Sequence, residues 1–283
     1  MNLFKRLAVP TTLIAALFTL AACGSEASSS VVSSSSSVAQ VEQYGKALTA
    51  YGVVHKEYVG EALVVVKGSE ILHVKIDEAF LPHDFARLTA DSAAANAALA
   101  VEIIGANDAK LYYAKYVSVD GKLYTAAQLS ADERTSTATA RYVKYTASDV
   151  PNLFVNVKTE ANAKAYYEAF KAGKVYVANA DGSKNTTLAL NTPYYMELKS
   201  IGKYWPAAVP SVNATTGAVS INIGWRGNLA ILEAAIEEIG FGTTPTRDTA
   251  NANKIKFGDV VTGATATDYL DYFNLAKAAY NKR

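Results

Sequence analysis

The chain has 283 residues, of which 50% are hydrophobic and 19% charged, and its formal net charge is +1. This is the balance of an ordinary folded protein with one large or two modest domains; it excludes a basic nucleic-acid binder and a charge-rich disordered chain. Eighteen tyrosines suit strands and wet apolar surfaces.

The first 22 residues do not read as part of the fold. MNLFKR carries two positive charges, and LAVPTTLIAALFTLAA is an apolar run too short and too small-ended for a stable spanning helix. It leads into Leu20-Ala21-Ala22-Cys23-Gly24, which resembles a bacterial lipoprotein signal, cleaved before a cysteine that then takes lipid. The alternative is an ordinary secretory signal that happens to contain a cysteine. Cys23 is the only cysteine of the chain, so no disulfide can form and the fold must stand on its own core. The resemblance implies a lipid anchor at the extracytoplasmic face of the cell membrane, where several acyl chains hold firmly. Loss of Lys5 and Arg6 with the signal leaves 25 basic residues against 26 acids, a net −1.

Residues 24–38, GSEASSSVVSSSSSV, bury too little apolar surface to offset their ordering entropy and read as a flexible tether of roughly 20 Å root-mean-square reach. The expected organisation is therefore a signal at 1–22, a lipidated Cys23 with its tether at 23–43, and a folded part at 44–283. That part can be divided again into 44–145 and 146–283.

EALVVVKGSEILHVKIDEAFL reads as two strands about a Lys67-Gly68-Ser69 turn, with alternation at Leu72, Val74 and Ile76. YYAKYVSVDGKLYTA places an Asp120-Gly121 hairpin signal between Tyr- and Val-rich arms, and KVYVANADGSKNTTLAL repeats the shape around Asp181-Gly182. TEANAKAYYEAFKAGK predicts a helix ending on Gly173. GNLAILEAAIEEIGFG sets Leu229, Leu232, Ala235, Ile236 and Ile239 on one helical face and stops at Gly240. TDYLDYFNLAKAAYNKR sets Tyr269, Phe273, Ala276 and Tyr280 at helical spacing, with acids early and bases late, as the helix dipole prefers. Strands and helices without regular alternation predict an α+β fold.

The stretch that carries chemistry is Asp259-Val260-Val261-Thr262-Gly263-Ala264-Thr265. Val260 and Val261 are expected to continue a strand begun at Lys254. Gly263 supplies a turn, Ala264 lets backbone approach backbone, and Thr265 or Thr267 falls at the N-cap of the last helix. A phosphate on Thr265 would then face that helix's free N–H groups.

DVVTGAT resembles the D-x-x-[S/T]-G-A-[T/S] signature of FMN-binding domains, found in flavin subunits of sodium-translocating NADH–quinone reductase and in flavinylated lipoproteins of extracellular electron transfer. In that family a separate flavin transferase joins FMN through its phosphate to the last hydroxyl, which the resemblance places on Thr265. Asp259, Thr262, Gly263 and Ala264 match the part that the transferase reads. VKIDEAFLP, DVPNLFVNVKTEANAKAYYEAFKAGKVYV, GKYWP, GWRGN and the closing TDYLDYFNLAKAAYNKR are similar to the lipoprotein branch, so the likeness runs from about Tyr44 to the end. One departure is Ala266, where that branch often has an aromatic beside the acceptor. A plain strand–turn–helix junction with a threonine cap accounts for the same residues without a cofactor.

Only one full motif is present; the cluster Arg134-Thr135-Ser136-Thr137-Ala138-Thr139 lacks the Asp and Gly-Ala and reads as loop. In GWRGN, Trp225 can stack on the flavin ring and Arg226 can balance a reduced flavin's charge. Equally, Trp225 fits a buried turn with Asn228 as N-cap. Trp205 reads as packing. His55, His73 and His83 come without a metal-ligand pattern, and Asp77-Glu78 and Glu237-Glu238 read as solvated pairs. The implied activity is electron carriage rather than stand-alone catalysis. A quinol- or flavin-linked membrane donor and an extracellular acceptor such as ferric iron are the implied partners. Two other readings remain: a surface lipoprotein binding a ligand or host molecule without flavin, and a reductase acting on a small acceptor.

Overall fold

The computed structural model describes residues 45–199, 210–212, 215, 219–221, 224–251 and 253–283; the signal segment, Cys23, the tether and Trp205 lie outside them. The first sheet is an antiparallel meander of β1 (Lys46–Val54), β2 (Tyr58–Lys67) and β3 (Glu70–Ala79). Its β2–β3 turn is the expected Lys67-Gly68-Ser69, with Gly68 at φ +62°. Then come α1 (Pro82–Phe85), α2 (Ala90–Ala95) and a hairpin of β4 (Ala100–Ile104) with β5 (Lys110–Ala114).

The second sheet is built from β6 (Tyr116–Val119), β7 (Lys122–Gln128), β8 (Val143–Thr146) and β9 (Val175–Val177), in the order β8-β7-β6-β9. Asp120 and Gly121 both take positive φ (49° and 82°), the tight hairpin that their sequence predicts. Around Asp181-Gly182 the chain turns and makes a single bridge, Ala178 to Lys184, rather than a second full arm. Between β7 and β8 the threonine cluster expected as loop forms most of α3 (Ala131–Thr137). Ser130 and Glu133 close a capping box there, a local signal strong enough to wind a polar segment. Then α4 (Leu153–Asn156) leads to α5 (Glu160–Lys171), capped by Thr159 and ended by Gly173 at φ +70°.

The last third contains a short pair, β10 (Pro210–Val212) and β11 (Val219–Ile221), then α6 (Gly224–Ile239). A small meander of β12 (Thr246–Asp248), β13 (Lys254–Phe257) and β14 (Val260–Val261) follows, and α7 (Tyr269–Tyr280) closes the chain. With antiparallel sheets and helices that do not alternate with strands, the class is α+β.

Strand pleat decides how the helices pack on the first sheet. Tyr51 of β1 meets Tyr167 of α5 with ring centroids 5.8 Å apart, while a Cβ on the adjacent Gly52 would lie 3.4 Å from Leu275 of α7. Neighbouring residues face opposite sides of a strand, so α5 covers one face and α7 the other. Gly60, opposite Gly52, permits the close approach: a Cβ there would stand 2.8 Å from Leu275 and 2.9 Å from Val54.

Helix α6 does something different: it caps the free edge of β3. Glu237 accepts from the Val74 N–H at 2.7 Å and Glu233 from the Ile76 N–H at 2.6 Å, while Arg226 donates to the Ile76 carbonyl at 2.9 Å. Side chains thus satisfy an edge that would otherwise stay open. Asp77 and Glu78, expected in solvent, are buried (5% and 0% exposed). Glu78 is paired with the Lys199 ammonium and the Tyr272 hydroxyl, a tertiary compensation that adjacent acids in a sequence do not reveal.

Candidate functional site

The DVVTGAT segment folds as a hairpin rather than as one continuing strand. β13 runs out at Phe257, the chain reverses at Gly258 (φ +57°) and Asp259, and Val260 and Val261 return against Phe257 and Lys256. Glycine tolerates the left-handed turn that a single straight strand would not have needed. Asp259 is exposed at the turn.

Beyond β14 the chain stays fastened to β13 through Ile255. The Thr262 N–H and hydroxyl both donate to the Ile255 carbonyl, at 2.8 and 2.7 Å. The Thr262 hydroxyl in turn accepts from the Ala264 N–H at 3.2 Å, and the Ile255 N–H donates to the Ala264 carbonyl at 2.8 Å. Gly263 lies against α6, where a Cβ would come 3.3 Å from Ile231 Cδ1. Ala264 and Ala266 are buried (0% and 4% exposed), and Thr265 between them is exposed. Small side chains inward and one hydroxyl outward: that is the local result of the sequence Ala-Thr-Ala.

Thr265 is held at both backbone ends. Its N–H donates to Asn228 Oδ1 at 2.7 Å, and its hydroxyl makes a long contact of 3.4 Å with the same oxygen. Arg247 of β12 donates to the carbonyls of Thr265 (3.2 Å), Ala266 (2.8 Å) and Asn253 (2.7 Å), with its guanidinium over the Tyr269 ring. The expected placement of Thr265 or Thr267 as N-cap of the last helix is corrected. The cap is Asp268, in a left-handed conformation (φ +52°) and without a side-chain capping bond. Asp268 instead pairs with His55 at 3.0 Å, and that tie to the β1–β2 turn displaces the helix start away from Thr265. Helix α7 therefore offers Thr265 no ready anion site.

The two GWRGN residues occupy other surroundings. Arg226 is committed to Glu233 and the Ile76 carbonyl. At 3.6 residues per turn it stands roughly 200° around α6 from Asn228, on the flank facing the sheet edge. Trp225 is half-buried against the Tyr272 ring (5.3 Å), His55 (5.7 Å) and the Lys199 ammonium (3.9 Å). Burial pulls the Lys199 pKa below the usual lysine range even though Glu78 opposes the shift. Asn228 is not an N-cap; it lies in the second turn of α6 and donates through Nδ2 to the Gly224 carbonyl at 2.8 Å.

Beside the motif lies a groove of about 380 Å³, within the size range of small-molecule sites. Ile231, Ala234, Ala235 and Ile239 of α6 form one wall; Val260, Val261 and Thr262 form the other, and Glu238 sits at an end. Val260 and Val261 are 54% and 42% exposed, unusual for paired valines. Asn228, Ile231, Ala235 and Glu238 follow one another on one flank of α6, so the groove's wall begins about one turn along the helix from the residue that holds Thr265. An exposed hydroxyl, small buried neighbours and an adjoining apolar trough fit a flattened apolar ring tethered through a phosphate. Sequence reading alone did not find Asn228, Arg247 or the groove as parts of this site. Comparison with known proteins gave no matching family model, no matching curated protein and no matching solved structure.

Proposed function

We propose that this chain is a membrane-tethered flavoprotein electron carrier, with FMN joined through its phosphate to Thr265 Oγ1. The observation that carries the proposal is the outward hydroxyl of Thr265 in DVVTGAT, three residues after Thr262 of an apolar groove. When bound there, FMN supplies one- and two-electron transfer. Thr265 is the attachment point, and Asp259, Thr262, Gly263 and Ala264 form the segment that a flavin transferase would read. Thr262 and Gly263 also seat the loop against Ile255 and Ile231.

The groove walls would shield one part of the ring from water and leave the rest open to redox partners, as a carrier between a membrane donor and an extracellular acceptor requires. Trp225 packs towards the core and Arg226 is already neutralised by Glu233, so the proposal assigns the ring to the Ile231–Val261 groove rather than to these two side chains. Lipid on Cys23 and the serine-rich segment would supply anchorage and reach; both lie outside the described residues. Among the described residues no helix is long and apolar enough to cross a membrane.

The test is intact-mass spectrometry of protein produced together with a flavin transferase. Wild type is expected to gain the mass of one FMN and a yellow absorption band, Thr265→Ser to keep both, and Thr265→Ala to lose both. A colourless wild type of unmodified mass would favour the flavin-free, ligand-binding reading of the same groove.

A further inference from the structure

We propose that Asn228 is the positioning residue for flavin attachment: its side-chain carbonyl sets the Thr265 hydroxyl in the geometry from which it is esterified. This deepens the reading of Thr265 given above and rests on it. The orientation of the Asn228 amide is fixed by its partners. A backbone N–H, that of Thr265, lies 2.7 Å from one end, and a backbone carbonyl, that of Gly224, lies 2.8 Å from the other. The first can only meet an oxygen and the second only an NH2, so Oδ1 must face Thr265.

Asn228 is itself rigidly placed. The opposite flank of α6 is bound to the edge of β3 through Arg226, Glu233 and Glu237, which fixes the helix's rotation about its axis. Arg247 holds the Thr265 and Ala266 carbonyls from the other side. The acceptor backbone is therefore clamped at its N–H by Asn228 and at its C=O by Arg247. Its hydroxyl lies 3.4 Å from Asn228 Oδ1. With the hydroxyl proton turned towards that oxygen, the Oγ1 lone pairs point away from α6, where an incoming phosphoryl group must arrive.

Esterification of an alcohol by a flavin phosphate needs an activated donor, a flavin phosphoanhydride such as a flavin dinucleotide. Oγ1 forms the new bond to phosphorus as the anhydride P–O bond breaks, its electron pair leaving with the nucleotide. The hydroxyl proton passes to a base of the transferase or to solvent, because a carboxamide is too weak a base to keep it. Asn228 orients; it does not take the proton. In the ester Oγ1 no longer carries a proton, so the contact with Oδ1 lapses while the N–H bond persists.

The experiment uses the purified chain, a flavin transferase and flavin dinucleotide, following the FMN mass gain against time. For Asn228→Ala, the turnover rate at saturating acceptor protein is expected to fall about tenfold or more, with its KM changed by less than about twofold, as a loss of orientation rather than of docking requires. Circular dichroism and the thermal midpoint establish that the variant is folded. Attachment to Asn228→Ala at the wild-type rate, or a loss that falls on KM instead of on the turnover rate, would overturn the proposal. If wild type takes up no flavin at all, the proposed function fails and this inference with it. If wild type is modified at Thr265 and Asn228→Ala equally fast, only the inference fails.

Discussion

Thr265 differs from Ala264 and Ala266 chiefly in direction. The two alanines point into the protein, and the threonine points out because an extended backbone alternates its side chains. Three backbone groups around it are spoken for, by Asn228 and Arg247, so the exposed hydroxyl stands on a firm base. Ala266 lies on the buried side of the same segment. Fluorescence would separate the proposed groove from Trp225 as the seat of an attached flavin ring. Among the described residues the groove is lined by alanine, isoleucine and valine with Thr262 and Glu238, and by no aromatic ring. Trp225→Phe should therefore leave the emission of the attached flavin unchanged, measured at equal flavin absorbance. A several-fold rise would show instead that the ring stacks on that indole.

At the scale of elements, the decisive contact is α6 against β3. One flank of the helix serves the sheet edge, and the opposite flank serves the acceptor loop and groove. Glu233 does most for the first task, since it accepts from the Ile76 N–H and pairs with Arg226 while itself only 6% exposed. Glu233→Ala leaves a buried N–H and a cation without their partner and is expected to cost about 2–3 kcal/mol, read from urea unfolding. The same variant should also slow flavin attachment at Thr265, because the helix that carries Asn228 loses its rotational reference.

At the scale of the whole described structure, a buried charged cluster joins the first sheet to the second. Glu57, in the turn between β1 and β2, accepts from the Thr139 hydroxyl at 2.6 Å and the Ala140 N–H at 3.0 Å, and pairs with Arg141. Arg141 also meets Asp84 at 2.7 Å, and His83 lies 3.3 Å from that carboxylate. Burial by itself would raise the Glu57 pKa, but His83, Arg141 and the Thr139 hydroxyl overcome it and hold the carboxyl below the usual glutamate value. The unfolded chain then binds the proton first as pH falls. The stability that Glu57 contributes is therefore complete above the ordinary glutamate pKa and lost as pH drops through the lowered native one. Urea midpoints measured from pH 7 downwards should show this loss in wild type and a flatter profile in Glu57→Gln.

Much of the architecture was legible because it is locally encoded. Gly68, Asp120-Gly121, Gly173 and Gly240 mark chain reversals and helix ends by their own conformational freedom, and the apolar face of α6 follows from spacing alone; α7 is turned from its expected face, burying Tyr272, Leu275 and Ala279 beside Phe273 and Ala276 and leaving Tyr269 and Tyr280 half-buried. Two of the errors, the loop expected at α3 and the straight strand expected through Val260, passed over local signals in the Ser130–Glu133 capping box and Gly258; the others depend on residues far apart in the chain. Asp77 and Glu78 are buried because Lys199 and Tyr272, far along the chain, meet Glu78. The last helix begins at Tyr269, after a cap residue, Asp268, that pairs with His55 about 200 residues earlier. By itself the sequence determined the turns, the amphipathic helices and the identity of the one hydroxyl in its Gly-Ala-Thr setting. Only the tertiary structure decided which way that hydroxyl faces, that Asn228 and Arg247 hold its backbone, and that an apolar groove lies beside the motif. Local conformation depends on neighbours in the chain, whereas burial, partners and cavities depend on residues that folding alone brings together.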